Sequence, residues 1–385
     1  MKDTIRLKGI TWGHSRGYTP LVACAQRYEE LHPEVSVTWT KRTLQEFADY
    51  PIEKLVHDYD LLIIDHPWAG CAAATQCVLP LDEYLPAAYL ADQARHTAGP
   101  SHQSYHYGGH QWALAIDAAT PVASYRQDLM ERHGAEPPAD WDAVIRLAEK
   151  GRVAAPGIPI DLLMNFYMFC LAQGRAPFAN EDEVTDTATG TAALQMMQTL
   201  WSRLNKQMFQ YNPVAVAERM TASDDFWYCP FAYGYSNYAR RGYARHRLQY
   251  ADLVKAGENK LCSTLGGTGL AVSAFSAHRQ EAVQFAQWAV SPEVQATLYM
   301  EHGGQPGHRL AWESEDANHL TGGYFRHTLP ALQRAYVRPR YNGYLHFQDH
   351  AGNHVQHYLQ HGGSEAAVLN GLNGLYRQSL RPQHV

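Results

Sequence analysis

Hydrophobic and polar positions near the start of the chain follow first the period of a strand and then that of a helix. Residues 5–12 alternate loosely, and the stretch 13–18 breaks the pattern, as expected of a strand followed by a loop. Residues 19–20, a threonine followed by a proline, have the form of an N-cap and a first helical residue. Apolar residues then recur at helical spacing until residues 32–33, where the position before a proline disfavours the helix.

Two more strands are predicted upstream of residue 70. Residues 35–39 alternate, and residues 61–64 are apolar throughout, which is typical of a strand covered on both faces. The chain is therefore expected to begin as a βαβ unit with a parallel sheet. Ligands of open α/β sheets bind beyond the carboxyl ends of the parallel strands. The loops at 12–18 and 65–70 are thus the first candidates for a binding site.

The middle of the chain predicts crossings between two lobes. Residues 113–126 form a long extended segment without a clear turn, and glycines open a short strand at 266–273. Helix signals flank these segments: Asp140 begins a helix that ends at Gly151, and Ser291, followed by proline and glutamate, begins another. No internal repeat or long linker is visible in the sequence. The lobes of this α/β chain are therefore expected to be interwoven along the sequence.

Composition narrows the classes of partner. The chain has 385 residues, of which 45% are hydrophobic and 18% charged, with a net charge of −6 and a pI near 6.4. These values give no basic surface for a phosphate backbone, so we expect no nucleic-acid partner. The sequence has no apolar run of about 18 residues, which argues against a membrane span. Its 24 tyrosines and nine tryptophans favour recognition of a small ligand.

The sequence carries none of the common catalytic signatures. Phosphate loops, dinucleotide-binding glycine motifs, zinc-protease motifs and nucleophile elbows are absent. The six cysteines have no spacing typical of a zinc site and are interpreted as buried small residues. We therefore expect a protein that is not an enzyme and that needs no cofactor.

The order of several short motifs resembles that of the family 1 extracellular solute-binding proteins. A Tyr-x-x-Asp-Leu-x-x-x-x-Gly run lies within residues 121–134, and Pro-Pro-Ala-Asp-Trp-Asp follows at 137–142. The glycine-opened strand at 266–273, the helix behind it and the Ser-Pro-Glu-Val-Gln run at 291–295 are similar to a second block of that family. The resemblance covers nearly the whole chain.

The resemblance implies a two-lobed Venus-flytrap fold, periplasmic binding protein type 2, with hinge crossovers between the lobes. We expect residues 1–117 and 268–322 to form one lobe, and residues 118–267 and 323–385 to form the other. Such a protein closes on a small polar solute, which can be a carbohydrate, a polyol, an organic acid or a phosphodiester. It delivers this solute to the permease of an ABC importer, and a monomer suffices for the task.

The expected location depends on how the natural chain begins. The family implies the periplasm, which is the expectation if this chain is a trimmed mature form. Met1 leads into the first strand without a signal-peptide pattern, so a cytoplasmic location is expected if Met1 is the natural start. A cytosolic solute sensor or accessory protein on the same scaffold is then the alternative function, and an enzyme on that scaffold is a more distant one.

Candidate ligand-binding residues of the first lobe lie in its two strand-end loops. The candidate residues in the loop after the first strand combine aromatic faces with polar groups near a positive helix N-terminus. Those after the third strand offer a carboxylate and an indole to a sugar ring. The alternative is structural, with the first tryptophan capping the core and the arginine as a solvated charge. These candidates are Trp12, His14, Arg16, Tyr18, Asp65, His66 and Trp68.

Further candidates come from the crossovers and from the second lobe. Asp117 lies in the first crossover. Gly267 and Thr268, in the second, offer backbone and hydroxyl hydrogen bonds, although a plain strand-opening turn explains the glycine equally well. The resemblance implies that Tyr233 and Tyr235 belong to the ligand wall of the second lobe, with ordinary aromatic core packing as the alternative.

Five histidines near the end of the chain form a separate pattern. His346, His350, His354, His357 and His361 step by four, four, three and four, so they fall within an arc of roughly 80° on one helix. Pairs four residues apart can ligate zinc or nickel. A solvated face that titrates near neutral pH is the simpler interpretation. We therefore predict no metal centre, with these histidines as the weaker alternative.

Overall fold

The computed structural model describes residues 4–381, with the backbone alone of Gln45, Ala48 and Asp49. The strands are β1 (Ile5–Trp12), β2 (Val35–Arg42), β3 (Leu61–Ile64), β4 (His106–Tyr107), β5 (His110–Gln111), β6 (Leu114–Ala119), β7 (Pro121–Tyr125), β8 (Tyr228–Tyr233), β9 (Gln249–Ala251), β10 (Lys255–Ala256), β11 (Asn259–Lys260) and β12 (Gly266–Val272).

The α-helices lie between and after these strands. They are α1 (Ser15–Leu31), α2 (Leu44–Asp49), α3 (Ile52–Leu55), α4 (Ala69–Thr75), α5 (Ala87–Arg95), α6 (Ser101–Ser104), α7 (Gln127–Arg132), α8 (Trp141–Glu149), α9 (Pro159–Ala172), α10 (Thr187–Trp201), α11 (Pro213–Ala222), α12 (Arg279–Ala289), α13 (Pro292–Val294), α14 (Arg309–Glu313), α15 (Glu315–Leu320), α16 (Tyr324–Gln333), α17 (Tyr344–His361) and α18 (Glu365–Ser379). Short 3-10 turns at His66–Trp68, Leu81–Glu83, Lys206–Gln210 and Ser236–Ala239 and a π-helical turn at Gln295–Tyr299 complete the regular structure of residues 4–381.

Contacts between residues divide the chain into two units. Unit 1 consists of the described residues up to Ala119 together with Leu265–Leu320 and Arg340–Asn342. Unit 2 consists of Thr120–Thr264, Thr321–Pro339 and the described residues from Gly343 onward. The chain thus leaves and re-enters each unit, so the units are interwoven in sequence. The first three crossings lie within three residues of the boundaries expected from sequence. The return of residues 340–342 to unit 1 was not among the expected boundaries.

The main sheet of unit 1 is mixed rather than parallel. Its strand order is β2-β1-β3-β12-β6. Strand β1 pairs in parallel with β2 and β3, as predicted, but β12 pairs antiparallel with both β3 and β6. The predicted parallel start is confirmed for the first three strands, and the antiparallel strand is an addition, because β12 returns from unit 2 instead of following a crossover helix. All four residues of β3 are buried, as its apolar sequence predicts.

Helix α1 begins five residues earlier than the sequence predicts. His14 is its N-cap and accepts a hydrogen bond from the backbone nitrogen of Arg16, so Thr19 is not needed as a cap and Pro20 lies inside the helix. The early start is possible because Gly17 has no side chain: a Cβ there would lie 2.2 Å from the Trp12 ring. The helix ends at Leu31, before the proline, as predicted.

Unit 2 has a smaller sheet packed with longer helices. The sheet has the order β8-β7-β9, with both pairings antiparallel. The extended segment predicted at 113–126 contains two consecutive strands, β6 and β7. The chain passes from unit 1 to unit 2 between them, at Ala119 and Thr120. Helices α9 and α17 pack closely because Gly352 meets Pro159: a Cβ on Gly352 would lie 2.1 Å from the Pro159 carbonyl oxygen.

A membrane span needs a helix of sufficient length and hydropathy. Within residues 4–381, every helix is too short or too polar to cross a membrane. The longest, α17, carries the five histidines along its length.

Candidate ligand-binding site

Several strand ends meet at one edge of the sheet of unit 1. Strand β1 runs parallel to β3 and ends level with it. Ile64, the last residue of β3, pairs with Gly269 of β12, and the preceding Thr268 pairs with Asp117 of β6. This register brings a set of predicted ligand residues to a single edge, and the set consists of Trp12, Asp65, Asp117, Gly267 and Thr268.

Arg16 and Asp117 form a buried ion pair at this edge. The Nε atom of Arg16 donates to Asp117 Oδ2 at 3.0 Å, and a terminal nitrogen of the same guanidinium contacts Oδ1. The guanidinium carbon also lies 5.6 Å from the centre of the Trp12 ring. Arg16 is buried, so its interpretation as a solvated charge is wrong. The two opposite charges neutralise each other, and direct contact of either residue with a ligand stays a prediction.

His14 is held in its neutral form beside this ion pair. Its Nδ1 accepts a hydrogen bond from the backbone nitrogen of Arg16 at 3.0 Å, and its ring stacks on Trp12 with centroids 5.7 Å apart. Burial and then the positive charge of Arg16 lower the pKa of His14 to about 4. At neutral pH the imidazole is therefore a polar surface and not a cation. Tyr18, one turn into α1, has its ring 5.2 Å from Lys41 Nζ.

The end of β3 presents a carboxylate and an indole. Asp65 Oδ1 accepts from the backbone nitrogen of His66 at 2.8 Å and lies 3.2 Å from the Nδ1 of that residue. The Asp65 side chain is 17% exposed, whereas His66 is fully buried. Trp68 is also buried, and its indole Nε1 has no hydrogen-bond partner among residues 4–381. Because an unpaired buried donor is costly, this N–H is the strongest candidate to donate to a ligand.

Gly267 is required by the backbone of the strand that carries it. Its φ is +94°, and a Cβ would lie 2.3 Å from the carbonyl oxygen of Asp117. The structural explanation of this glycine therefore suffices for its presence. Thr268, next in the chain, is buried at the edge where β12 changes register against β6.

The two tyrosines predicted for unit 2 have different environments. Tyr233 ends β8 and is half-buried, with its hydroxyl 2.8 Å from Thr264 Oγ1. Tyr235 is buried, and its carbonyl oxygen accepts from the Tyr250 hydroxyl at 3.0 Å. The packing around Tyr235 fits the aromatic-core alternative, and the partly accessible Tyr233 is the better candidate for ligand contact.

Unit 2 also contains a buried polar pair, of which the sequence singles out only Asn165, as a weak candidate. Asp161 lies in the first turn of α9, and Asn165 lies one turn later on the same face. Both side chains are buried, and Asp161 Oδ2 and Asn165 Nδ2 have no hydrogen-bond partner among the described residues. Burial raises the pKa of Asp161 to about 8. The available signal was an acid and an amide four residues apart in an otherwise apolar helix.

The five histidines share one helix, as their spacing predicts. His346 and His350 are partners on α17, with ring centroids 4.5 Å apart, and His357 and His361 form a second pair at 4.5 Å. Within the described chain they do not provide three ligand atoms at metal-binding distance. His354, between the pairs, is exposed.

Solved structures with the same fold are numerous. The maltose-bound MalE3 of T. maritima superposes with a TM-score of 0.85 at 17% identity, covering 98% of this chain and 100% of that one. A solute-binding protein of an ABC transporter from Agrobacterium radiobacter, in complex with ribitol, has a TM-score of 0.80 at 18% identity, covering 98% and 99%. One from Thermotoga lettingae, bound with alpha-D-tagatose, has a TM-score of 0.80 at 17% identity, covering 97% and 100%.

These similarities confirm the predicted fold class, the two-lobed α/β fold of periplasmic binding proteins. The sequence profile of the bacterial extracellular solute-binding proteins matches residues 12–296. This match spans most of the chain and includes the strand-end edge of unit 1 and the first two crossings between the units, at residues 119–120 and 264–265. The chain belongs to the bacterial extracellular solute-binding protein family.

Proposed function

We propose that this protein binds a neutral carbohydrate or polyol and delivers it to the permease of an ABC importer. The observation that carries the proposal is the edge of unit 1, where the partly exposed Asp65 carboxylate and the unpaired indole N–H of Trp68 follow the same strand. A carboxylate accepts hydrogen bonds from sugar hydroxyls, and an indole donates one through its N–H.

The charges at this edge favour a neutral solute over an organic acid or a phosphodiester. The guanidinium of Arg16 is neutralised by Asp117, and His14 is uncharged at neutral pH because its pKa is lowered to about 4. The predicted residues of unit 1 therefore supply no net positive charge for an anion. The similar structures from T. maritima, Agrobacterium radiobacter and Thermotoga lettingae, which hold maltose, ribitol and tagatose, support the same class of solute.

The experiment is a calorimetric titration of the purified chain with maltose, maltotetraose, ribitol and tagatose, beside gluconate and a glycerophosphodiester. We expect binding of at least one neutral compound and none of the two anions. Trp68→Phe keeps an aromatic ring but removes the N–H, and loss of one hydrogen bond should weaken binding by about 5- to 10-fold. Trp288→Phe is the matched control, because this half-buried tryptophan of unit 1 lies on α12.

The result can refute the proposal in two ways. Binding of the anions alone would replace the neutral solute with an acid or a phosphodiester. Equal affinities of the wild type and Trp68→Phe would remove the strand-end edge from the site. The same samples, recovered after long incubation and analysed by mass spectrometry, should contain the ligand unchanged, since we propose binding without catalysis.

A cytosolic sensor remains the second candidate, and one observation favours it. All six cysteines are free, which is common in reducing compartments and less so in the periplasm. Delivery to a permease requires location outside the cytoplasm, so fractionation of cells that express the natural gene separates the two functions. Recovery in the periplasmic or membrane-attached fraction supports delivery, and recovery with cytosolic markers supports sensing.

A further inference from the structure

Unit 1 brings together two histidines and an aspartate that are not among the candidate ligand-binding residues. Asp92 and His96 lie four residues apart at the end of α5, and His308 is the N-cap of α14. One potential ligand atom from each residue lies within 4.8 Å of those of the other two. We propose that Asp92, His96 and His308 form a binding site for a divalent transition-metal ion, with Zn²⁺ as the preferred ion.

The distances within the group suit one ion. His96 Nδ1 lies 2.9 Å from Asp92 Oδ1, and His308 Nε2 lies 3.8 Å from Asp92 Oδ2. Ligands at about 2.1 Å from a tetrahedral zinc ion are separated by about 3.4 Å, and the two observed separations bracket this value. The two imidazole rings have centroids 5.3 Å apart and are tilted by 37°. Small side-chain rotations therefore suffice to bring all three residues onto a common ion.

The hydrogen bonding of His308 points to a missing ligand. Its side chain is 1% exposed, and neither ring nitrogen has a hydrogen-bond partner among residues 4–381. An imidazole buried with both nitrogens unpaired is costly, and coordination of an ion removes part of this cost. Asp92 is 40% exposed and His96 is 27% exposed, so an ion can reach the group from solvent and keep a water as its fourth ligand.

The backbone around the group is already fixed. The amide of Ala98 donates to the carbonyl oxygen of Gly307 at 2.8 Å, and the amide of Arg309 donates to the carbonyl oxygen of His96. Gly307 is itself anchored, because its amide donates to Gln295 Oε1 at 2.8 Å and its Cα packs against β6. These contacts hold the end of α5 and the start of α14 together without a metal, which is the preorganisation that a metal site needs.

The donor set selects the type of ion. Two imidazoles and one carboxylate suit zinc and its neighbours in the first transition series, whereas calcium and magnesium prefer oxygen ligands alone. Arg309 follows His308 in sequence and carries a positive charge. Its guanidinium lies 3.3 Å from the carboxylate of Glu313, which offsets that charge near the ion. The site would tie α5 to α14 and so stabilise unit 1.

The test is equilibrium dialysis of the metal-free, untagged chain against Zn²⁺, with a chelator wash as the baseline. We expect one tightly bound ion per chain and a higher midpoint of thermal unfolding that the chelator reverses. His96→Asn and Asp92→Asn remove partly exposed ligands and so preserve the fold. Each should weaken this binding by at least 10-fold, since loss of even an outer partner of a metal ligand costs about 10- to 100-fold.

His350→Asn is the matched control, because His350 is also a helical histidine with a potential ligand four residues before it. Its replacement should leave the tight site intact. Zinc binding that His350→Asn abolishes and His96→Asn leaves unchanged would assign the ion to α17 and overturn the proposal. A wild-type chain that binds no Zn²⁺ above the chelator baseline would overturn it as well. Sugar binding is measured separately, so failure of the metal site leaves the proposed function untouched.

Discussion

The carboxyl group of Asp161 is expected to destabilise the protein at neutral pH. It is buried in the first turn of α9, and burial raises its pKa from 3.8 to about 8. The folded chain therefore keeps a proton that the unfolded chain releases above about pH 4. Since the unfolded state then binds fewer protons, the free energy of unfolding falls as the pH rises between about 4 and 8.

The size of this effect follows from the width of that pH window. One pH unit corresponds to about 1.4 kcal/mol, and pH 7 lies about three units above the ordinary pKa of an aspartate, which gives about 4 kcal/mol. Asp161→Asn removes the titrating proton and keeps the shape of the side chain. We expect it to raise the free energy of unfolding at pH 7 by about 4 kcal/mol.

The assay is chemical denaturation of the wild type and of Asp161→Asn from pH 4 to pH 8. The advantage of the variant should be close to zero at pH 4 and should grow with pH, while contributions of all other groups cancel in the difference. Asp142→Asn is the matched control, because Asp142 lies exposed in the first turn of α8, and it should lose the stabilisation of about 0.3–1 kcal/mol that an acid gives there. Parallel stability curves for the wild type and Asp161→Asn would refute the reasoning.

Three further predictions concern the edge of unit 1. Gly267→Ala should destabilise the protein by about 3 kcal/mol, since it adds a clash with the Asp117 carbonyl to the strain of a positive φ. Gly109 also has a positive φ, of +90°, but has open space around it. As the control, Gly109→Ala should therefore cost only about 1 kcal/mol in the same denaturation assay. Arg16→Met should cost about 3–5 kcal/mol, because it leaves Asp117 as a buried unpaired charge, and combining it with Asp117→Leu should restore most of the loss. His14→Asn should flatten the stability curve between about pH 6.5 and pH 4, because the lowered pKa of His14 makes the free energy of unfolding of the wild type fall by about 3 kcal/mol as the pH falls through that window.

Each of these has a distinct contradicting result. Equal losses for the two glycine variants would show that the close approach at Gly267 is not made. A double variant as unstable as Arg16→Met alone would show that the charge left on Asp117 is not the cause. Wild-type and His14→Asn curves that run parallel through acid pH would show that His14 takes up a proton in the folded state.

The sequence predicted the local elements well where a single chain segment carries the signal. The structure confirms several such features: the strands β1 and β3, the end of α1 before a proline, the cap of α8 at Asp140, the cap of α13 at Ser291, and the run of histidines along α17. These features depend on spacing, caps and proline geometry, which act within a few residues. The order of weak motifs also placed the chain in its family.

The sequence could not predict features that depend on distant segments. Helix α1 begins at Ser15 because Gly17 leaves room for the Trp12 ring. Gly352 lets α17 approach α9. In both cases a glycine is explained by the group that it contacts. That group is known only once the chain is folded.

The same distinction between local and distant information applies to the chemistry of the candidate site. By itself the sequence determined which residue types follow the buried strand β3 and which lie in the first crossover, and it made Asp65, Trp68 and Asp117 candidates. Only the tertiary structure decided what each of them contacts: it paired Asp117 with Arg16, buried Asp161 in unit 2, and brought Asp92 to His308 from more than half the chain away. Charge, pKa and ligation depend on neighbours a few ångströms distant, and such neighbours are set by how the whole chain packs.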